Sequence, residues 1–283
     1  MIAGSALLIG SLALFGAGAV AAENALHPAK YAVAKICPCI AHVQCRDAQI
    51  ASADGTLLRA WYFEPEAANG GSVIVLHGIG ASREDVVGLG AVFLKAGYSV
   101  LTPDLRGHGE SGGLVTYGIQ EEPDVRAWVN WVLRQPDITR IYGFGASLGA
   151  SELLESLNHE TRFRAVVAES AFSSFPEIAI ERVGRITPLA SPLVSSGILW
   201  ARLRYGTNLR DSSALEAIRR SRTPVLLIHG LEDRLTSPEN SRRLADANPA
   251  ITQLWMIPAA GHANAWATAG KEFESRVLAW FDR

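Results

Sequence analysis

From residue 72 onward the chain returns repeatedly to short, unbroken apolar runs: Val73-Ile74-Val75-Leu76, Ala165-Val166-Val167-Ala168 and Val225-Leu226-Leu227-Ile228. A strand with one wet face alternates apolar and polar side chains, so a run without alternation needs cover on both faces. Longer stretches of helical character separate these runs, and the pattern therefore demands a mostly parallel sheet doubly wound with helices. Eight candidate strands cover 48–53, 57–63, 72–77, 98–102, 138–143, 164–169, 225–229 and 252–257. Asp54-Gly55 joins the first two as an antiparallel hairpin. Helices are expected over 82–96, 121–134, 148–158, 237–248 and 272–281; the first opens on a capping-box-like Ser82-x-x-Asp85, the second has Pro123 in its first turn and stops before Pro136.

More than fifty residues separate the strand at 164–169 from the one at 225–229. A simple connection needs only a few, so a small helical cap is inserted at about 172–221. Pro176, Pro188 and Pro192 divide it, and Ile198, Leu199, Trp200 and Leu203 share a helical stripe. Between residues 180 and 222 it carries eight arginines against Glu181, Asp211 and Glu216. That excess reads as a solvated face, as contact with anionic lipid head groups or as steering of an acidic substrate. Across all 283 residues the formal net charge is only -2, which argues against a dedicated nucleic-acid binder. A hydrophobic content of 48% with 19% charged residues excludes a largely disordered chain.

The chain divides into a hydrophobic segment at 1–22, a linker at 23–46 and the main domain at 47–283. Residues 1–22 contain no charged side chain. As a helix they would be about 33 Å long, enough to cross a hydrocarbon core of about 30 Å. The segment reads as a membrane anchor, as a signal cleaved at the small residues before Glu23, or as a buried start. The protein is accordingly expected at a membrane, or exported if the segment is removed. A cleaved signal ordinarily begins with Lys or Arg, which are absent here; Lys30 and Lys35 follow the segment and favour a cytoplasmic domain for an anchored form. Cys37, Cys39 and Cys45 lie together in the linker and leave the main domain without cysteine. They fit one disulfide with a spare thiol, three thiolate ligands, or plain linker packing; no fourth ligand stands at zinc spacing, and His42 is a poor partner.

The chemistry-bearing pattern is Gly143-Phe144-Gly145-Ala146-Ser147-Leu148-Gly149-Ala150, a strand entering Gly-x-Ser-x-Gly and then a helix. Such a turn holds its serine in a strained conformation that only small neighbours permit, and lifts the hydroxyl above the sheet beside a helix N-terminus. Serine needs a base, and the base needs a group to fix its tautomer. His262 follows the last strand in Ala259-Ala260-Gly261-His262, and Asp233 follows the strand at 225–229 in His229-Gly230-Leu231-Glu232-Asp233. From about residue 47 to the end, the chain resembles the serine hydrolases of the α/β-hydrolase superfamily, near their lysophospholipase-like and serine-aminopeptidase-like members. The resemblance implies that Ser147 is the nucleophile, His262 the base and Asp233 its orienting acid. It also implies an oxyanion hole from the backbone N–H groups of Leu148 and Ile79, the latter in the His77-Gly78-Ile79-Gly80 loop. Asp104-Leu105-Arg106-Gly107-His108-Gly109-Glu110-Ser111 resembles a buttressing loop of the same family, giving Asp104 and His108 structural roles, as for His77. Glu169, at the end of the sixth strand, is the alternative triad acid; Glu232 is an exposed neighbour of Asp233, and His27, His42 and His159 are surface or structural.

These residues imply cleavage of a carboxylic ester, thioester or amide through an acyl-enzyme, with a small acyl ester or lipid-like molecule as substrate. An acyltransferase using the same intermediate is the alternative, and a noncatalytic binding module on the same scaffold a further one. No cofactor and no metal are implied.

Overall fold

The structure, a computed structural model, describes residues 2–283. Its strands are β1 (Val43–Ala51), β2 (Leu57–Pro65), β3 (Gly71–Leu76), β4 (Ser99–Pro103), β5 (Arg140–Ala146), β6 (Phe163–Glu169), β7 (Val225–Gly230) and β8 (Thr252–Ile257). They form one eight-stranded sheet in the order β1-β2-β4-β3-β5-β6-β7-β8. The first two strands are antiparallel to each other, β2 is antiparallel to β4, and every later pairing is parallel. The chain leaves β3 toward β4 on one side and returns to β5 on the other. Connections thus diverge between the neighbours β3 and β5, which opens a crevice at their carboxyl ends.

Helices cover both faces, as the unbroken apolar runs require. On one side α2 (Val87–Lys95) and α10 (Lys271–Phe281) place Phe93, Phe273, Val277 and Phe281 against Val73, Val75 and Phe144. On the other, α3 (Glu121–Val132) and α4 (Leu148–Ser156) place Val125, Trp128 and Leu153 against Ile74, Leu76 and Ile141. Each such side chain taken fully out of water contributes about 1.5–3 kcal/mol. The cap between β6 and β7 consists of α5 (Phe175–Gly184), α6 (Ala190–Tyr205) and α7 (Ala214–Arg220). Two further helices, α8 (Glu239–Ala247) and α9 (Ala265–Ala269), flank β8 in sequence.

Two expectations change. The helix foreseen from Ser82 starts only at Val87. Asp85 does accept from the Ser82 N–H and hydroxyl, at 2.8 and 3.0 Å, but what it closes is a turn. The reason is Arg83: its backbone N–H and guanidinium both bond Asp104, at 2.7 and 2.8 Å, and hold the segment out of helical register.

The second change concerns the membrane-spanning segment at 1–22. Among the described residues no helix is long and apolar enough to cross a membrane. Met1 and the side chains of residues 2–9 lie outside the described residues. What is described is a helix, α1 (Ile2–Leu26), whose later turns pack on the cap and reach the domain core. Ala22 is buried and Leu26 fully so. The expected linker begins with this helix and ends within β1; Cys37 and Cys45 are joined as a disulfide, and Cys39 is free and exposed.

Candidate active site

The crevice between β3 and β5 receives its side chains from three loops. Ser147 stands between β5 and α4 with φ 54° and ψ -116°, a left-handed conformation that L side chains rarely adopt. Such strain costs about 1–3 kcal/mol and persists only where the surroundings enforce it. Here they do. A Cβ at Gly145 would lie 2.4 Å from the Gly149 carbonyl oxygen, and one at Gly149 would lie 2.5 Å from the His77 carbonyl oxygen. No side chain fits at either position, so strand, turn and helix close on one another and leave the serine to absorb the bend.

The structure brings Ser147, His262 and Asp233 together from positions far apart in the chain. The Ser147 Oγ lies 2.7 Å from His262 Nε2, and His262 Nδ1 lies 2.7 Å from Asp233 Oδ2. A carboxylate can only accept, so Nδ1 donates and Nε2 is left to accept a hydrogen bond from the Ser147 hydroxyl. Burial opposes the charge on Asp233, but hydrogen bonds from His229, His262 and the Thr236 N–H hold its carboxyl well below the usual carboxylate range. Above Ser147, the backbone N–H groups of Ile79 and Leu148 have no acceptor among the described residues. Gly78 brings the Ile79 loop close: a Cβ there would be 3.4 Å from the Ser147 Cβ. The cavity in front of the serine holds about 550 Å³ and is lined by Ile79, Ser147, His262, Leu235, Trp266 and Arg182, among others.

A family model for the α/β-hydrolase fold matches residues 71–187. The esterase Pf2001 of Pyrococcus furiosus superimposes with a TM-score of 0.73 at 25% identity, over 91% of this chain and 97% of that one. The chain belongs to the α/β-hydrolase superfamily. Among relatives of this α/β-hydrolase, the uncharacterized protein YqkD of Bacillus subtilis is 26% identical over 238 residues, 82% of this chain and 78% of that protein. The lysophosphatidylserine lipase ABHD12 of Mus musculus is 28% identical over 204 residues, 65% of this chain and 47% of that protein. The proteins that this chain resembles thus include an esterase and a lipase.

Other expected residues sit where structural roles put them. His77 accepts the Leu105 N–H at Nε2 (3.0 Å) and donates from Nδ1 to the Gly78 carbonyl (2.8 Å), and burial pushes its pKa down to about 4. It braces the Ile79 loop as a neutral ring. His108, likewise lowered to about 4 by burial, packs edge-on against it at 5.1 Å. Asp104 is spent on Arg83 and the Glu110 N–H. Glu169 reaches the cavity, but its Oε1 accepts the Ala265 N–H at 2.7 Å, and burial raises its pKa to about 7. His27, His42 and His159 face Glu23, Glu66 and Glu122 at the surface. Among the described residues no cluster of His, Cys, Asp and Glu could hold a metal ion.

Three supporting residues escape sequence reasoning. His229 is fully buried: its Nδ1 accepts from the Ser241 hydroxyl (2.6 Å), while its Nε2 faces both the Thr236 carbonyl (3.0 Å) and Asp233 Oδ2 (3.2 Å). It is a positioning residue for the carboxylate. The Ser170 hydroxyl accepts the Ala263 N–H (3.1 Å) and fixes the loop of His262. Arg83 anchors the turn after the Ile79 loop. His229 alone has a sequence signal, its place in His-Gly-x-x-Asp; the other two act on residues about 90 and 20 positions away.

Proposed function

We propose that the protein is a serine hydrolase of carboxylic esters. The Ser147 Oγ attacks the ester carbonyl carbon as its proton passes to His262 Nε2, and the carbonyl oxygen, now negative, is held by the N–H groups of Ile79 and Leu148. The C–O bond to the alcohol breaks as His262 returns the proton to the leaving oxygen. Water then repeats the sequence: it loses a proton to His262, attacks the acyl carbon and releases the acid with Ser147 restored. Asp233 orients the imidazole and offsets its transient positive charge. The observation that carries the reading is the hydroxyl–imidazole–carboxylate chain, both links at 2.7 Å, ending on a serine held in left-handed backbone.

A relative named as a lipase for lysophosphatidylserine supports a lipid-like ester as substrate. The test is Ser147→Ala: wild type should turn over short acyl esters and be labelled by an activated fluorophosphonate, and the variant should do neither. Labelling that persists in the variant overturns the assignment.

A further inference from the structure

Beside the cavity at Ser147 lies a second one of about 450 Å³, and the two share Ile79 and Arg182 in their walls. One side of it is α1, through Ala17, Gly18, Ala21, Ala22 and Ala25; the other is the cap, including Phe175, Ile178, Val183 and Ile198. Residues 17, 21 and 25 fall on one face of a helix at four-residue spacing. Because all three are alanine, that face leaves open volume that larger side chains would fill.

The helix is fixed there by contacts with both cap and domain. Gly18 crosses α6 so closely that a Cβ would lie 2.6 Å from the Ser196 Cβ and 2.8 Å from the Leu193 carbonyl oxygen. The Glu23 carboxylate accepts from Trp200 Nε1 (2.6 Å) and from the Tyr205 hydroxyl (2.8 Å). On the domain side, Tyr117 donates to the Ala25 carbonyl and the Val115 N–H to the Leu26 carbonyl, both at 3.0 Å.

We propose that the space between α1 and the cap is the acyl-chain subsite, so that the N-terminal helix sets the length of chain accepted. This rests on the reading of Ser147 as nucleophile. A carbonyl bound at the Ile79 N–H directs its chain past the Ile79 side chain, which lines both cavities, and the volume beyond lies in the range of ligand pockets, about 300–1,000 Å³. Each methylene buried there raises kcat/KM by about fourfold until the space is full.

The experiment measures kcat/KM for p-nitrophenyl esters from acetate to dodecanoate in wild type, Ala21→Phe and Val183→Ala. Ala21→Phe should leave acetate hydrolysis within about twofold and reduce the longer esters by on the order of tenfold or more. Val183→Ala should move the optimum to a longer chain. An unchanged chain profile in both variants overturns the subsite, as does a mature protein that lacks residues 1–22 yet keeps the preference. Absence of acetate hydrolysis in wild type would instead overturn the hydrolase reading itself.

A different observation carries a second inference. Three of the eight cap arginines pair with acids: Arg185 with Glu181, and Arg219 and Arg220 with Glu216. Arg182 has no hydrogen bond or ion pair among the described residues, and its Nε is buried without a partner. The acids that share its cavity are occupied elsewhere, Asp85 by Ser82 and Glu169 by the Ala265 N–H. A guanidinium partly out of water and unpaired is unfavourable until an anion reaches it. We infer that Arg182 receives an anionic group on the leaving alcohol of the substrate, with the forked geometry that suits carboxylate or phosphate. Decanoyl glycerol and decanoyl glycerol phosphate, neutral and anionic at one chain length, are the probes. Arg182→Gln should raise KM for the phosphate by roughly tenfold more than KM for the neutral ester, and Arg182→Lys should recover part of that difference. Equal changes for both esters, or none for either, overturn the assignment.

Discussion

Replacing Asp233 by Asn tests the site through a single atom. In the wild type, Asp233 Oδ1 accepts the Leu235 and Thr236 N–H groups at 2.8 and 2.9 Å, which leaves Oδ2 to face His262 and, at 3.2 Å, His229. An Asn in the same place keeps its oxygen on those two backbone donors and turns its NH2 toward His262 Nδ1. The imidazole must then accept at Nδ1 and carry its proton on Nε2, where it meets the Ser147 hydroxyl as a donor and cannot take a proton. In Ser-His-Asp enzymes a wrong tautomer of this kind lowers kcat about ten-thousandfold, or roughly 5.4 kcal/mol. Glu169→Gln provides the contrast. Its side chain touches the Ala265 N–H rather than the imidazole, and a Gln oxygen can keep that bond, so the expected loss stays within about fivefold. Steady-state kinetics on a short p-nitrophenyl ester decide between them. A loss below tenfold in Asp233→Asn, with a larger one in Glu169→Gln, would refute the reasoning and move the orienting acid to β6.

Three further outcomes follow from the same geometry. Glu169, raised to about 7 by burial, binds its proton more tightly folded than unfolded, so it supports stability below about pH 4.5 and that support is lost as pH rises to about 7. The difference in unfolding free energy between Glu169→Gln and wild type should therefore shift in favour of the variant by up to roughly 3 kcal/mol between pH 4.5 and 8; a difference independent of pH contradicts this. Gly149→Ala would set a Cβ 2.5 Å from the His77 carbonyl oxygen and 2.7 Å from the Leu76 carbonyl carbon, and should cost about 1–3 kcal/mol in denaturant melts as well as most of the esterase activity. Arg106 bonds the buried Asp124 through Nε and Nη2, both at 2.9 Å, so Arg106→Ala strands that carboxylate and should lower stability by about 3–5 kcal/mol; a Tm within a degree of wild type would show that the pair is not engaged.

Much of this protein was legible along the chain. Unbroken runs such as Val225–Ile228 require a sheet covered on both faces, and β8 matches its expected span residue for residue. The strained turn at Ser147 was legible too, because the glycines that permit it are its own neighbours. Helix α9 was not: five residues of alanine, threonine and one tryptophan carry no period. Ser82-x-x-Asp85 misled because its local bonds form while Asp104, distant in sequence, takes Arg83 and prevents the helix.

The amino-acid sequence by itself determined the features that depend on a residue and its near neighbours: the period of each element, the sharp strand-to-helix turn, and the residue types able to transfer a proton. Only the tertiary structure decided which of several acids and histidines meet, since Glu169 ends one strand, Asp233 lies just past the end of the next, and the two differ in the atoms that surround them. It also decided the place of the described part of the N-terminal helix, from Gly18 onward. A stretch of alanine, glycine and leucine suits lipid or a protein groove equally well, because both remove apolar surface from water, and the choice fell to a cap helix with a glycine where Gly18 crosses it and to Trp200 and Tyr205 poised to receive Glu23.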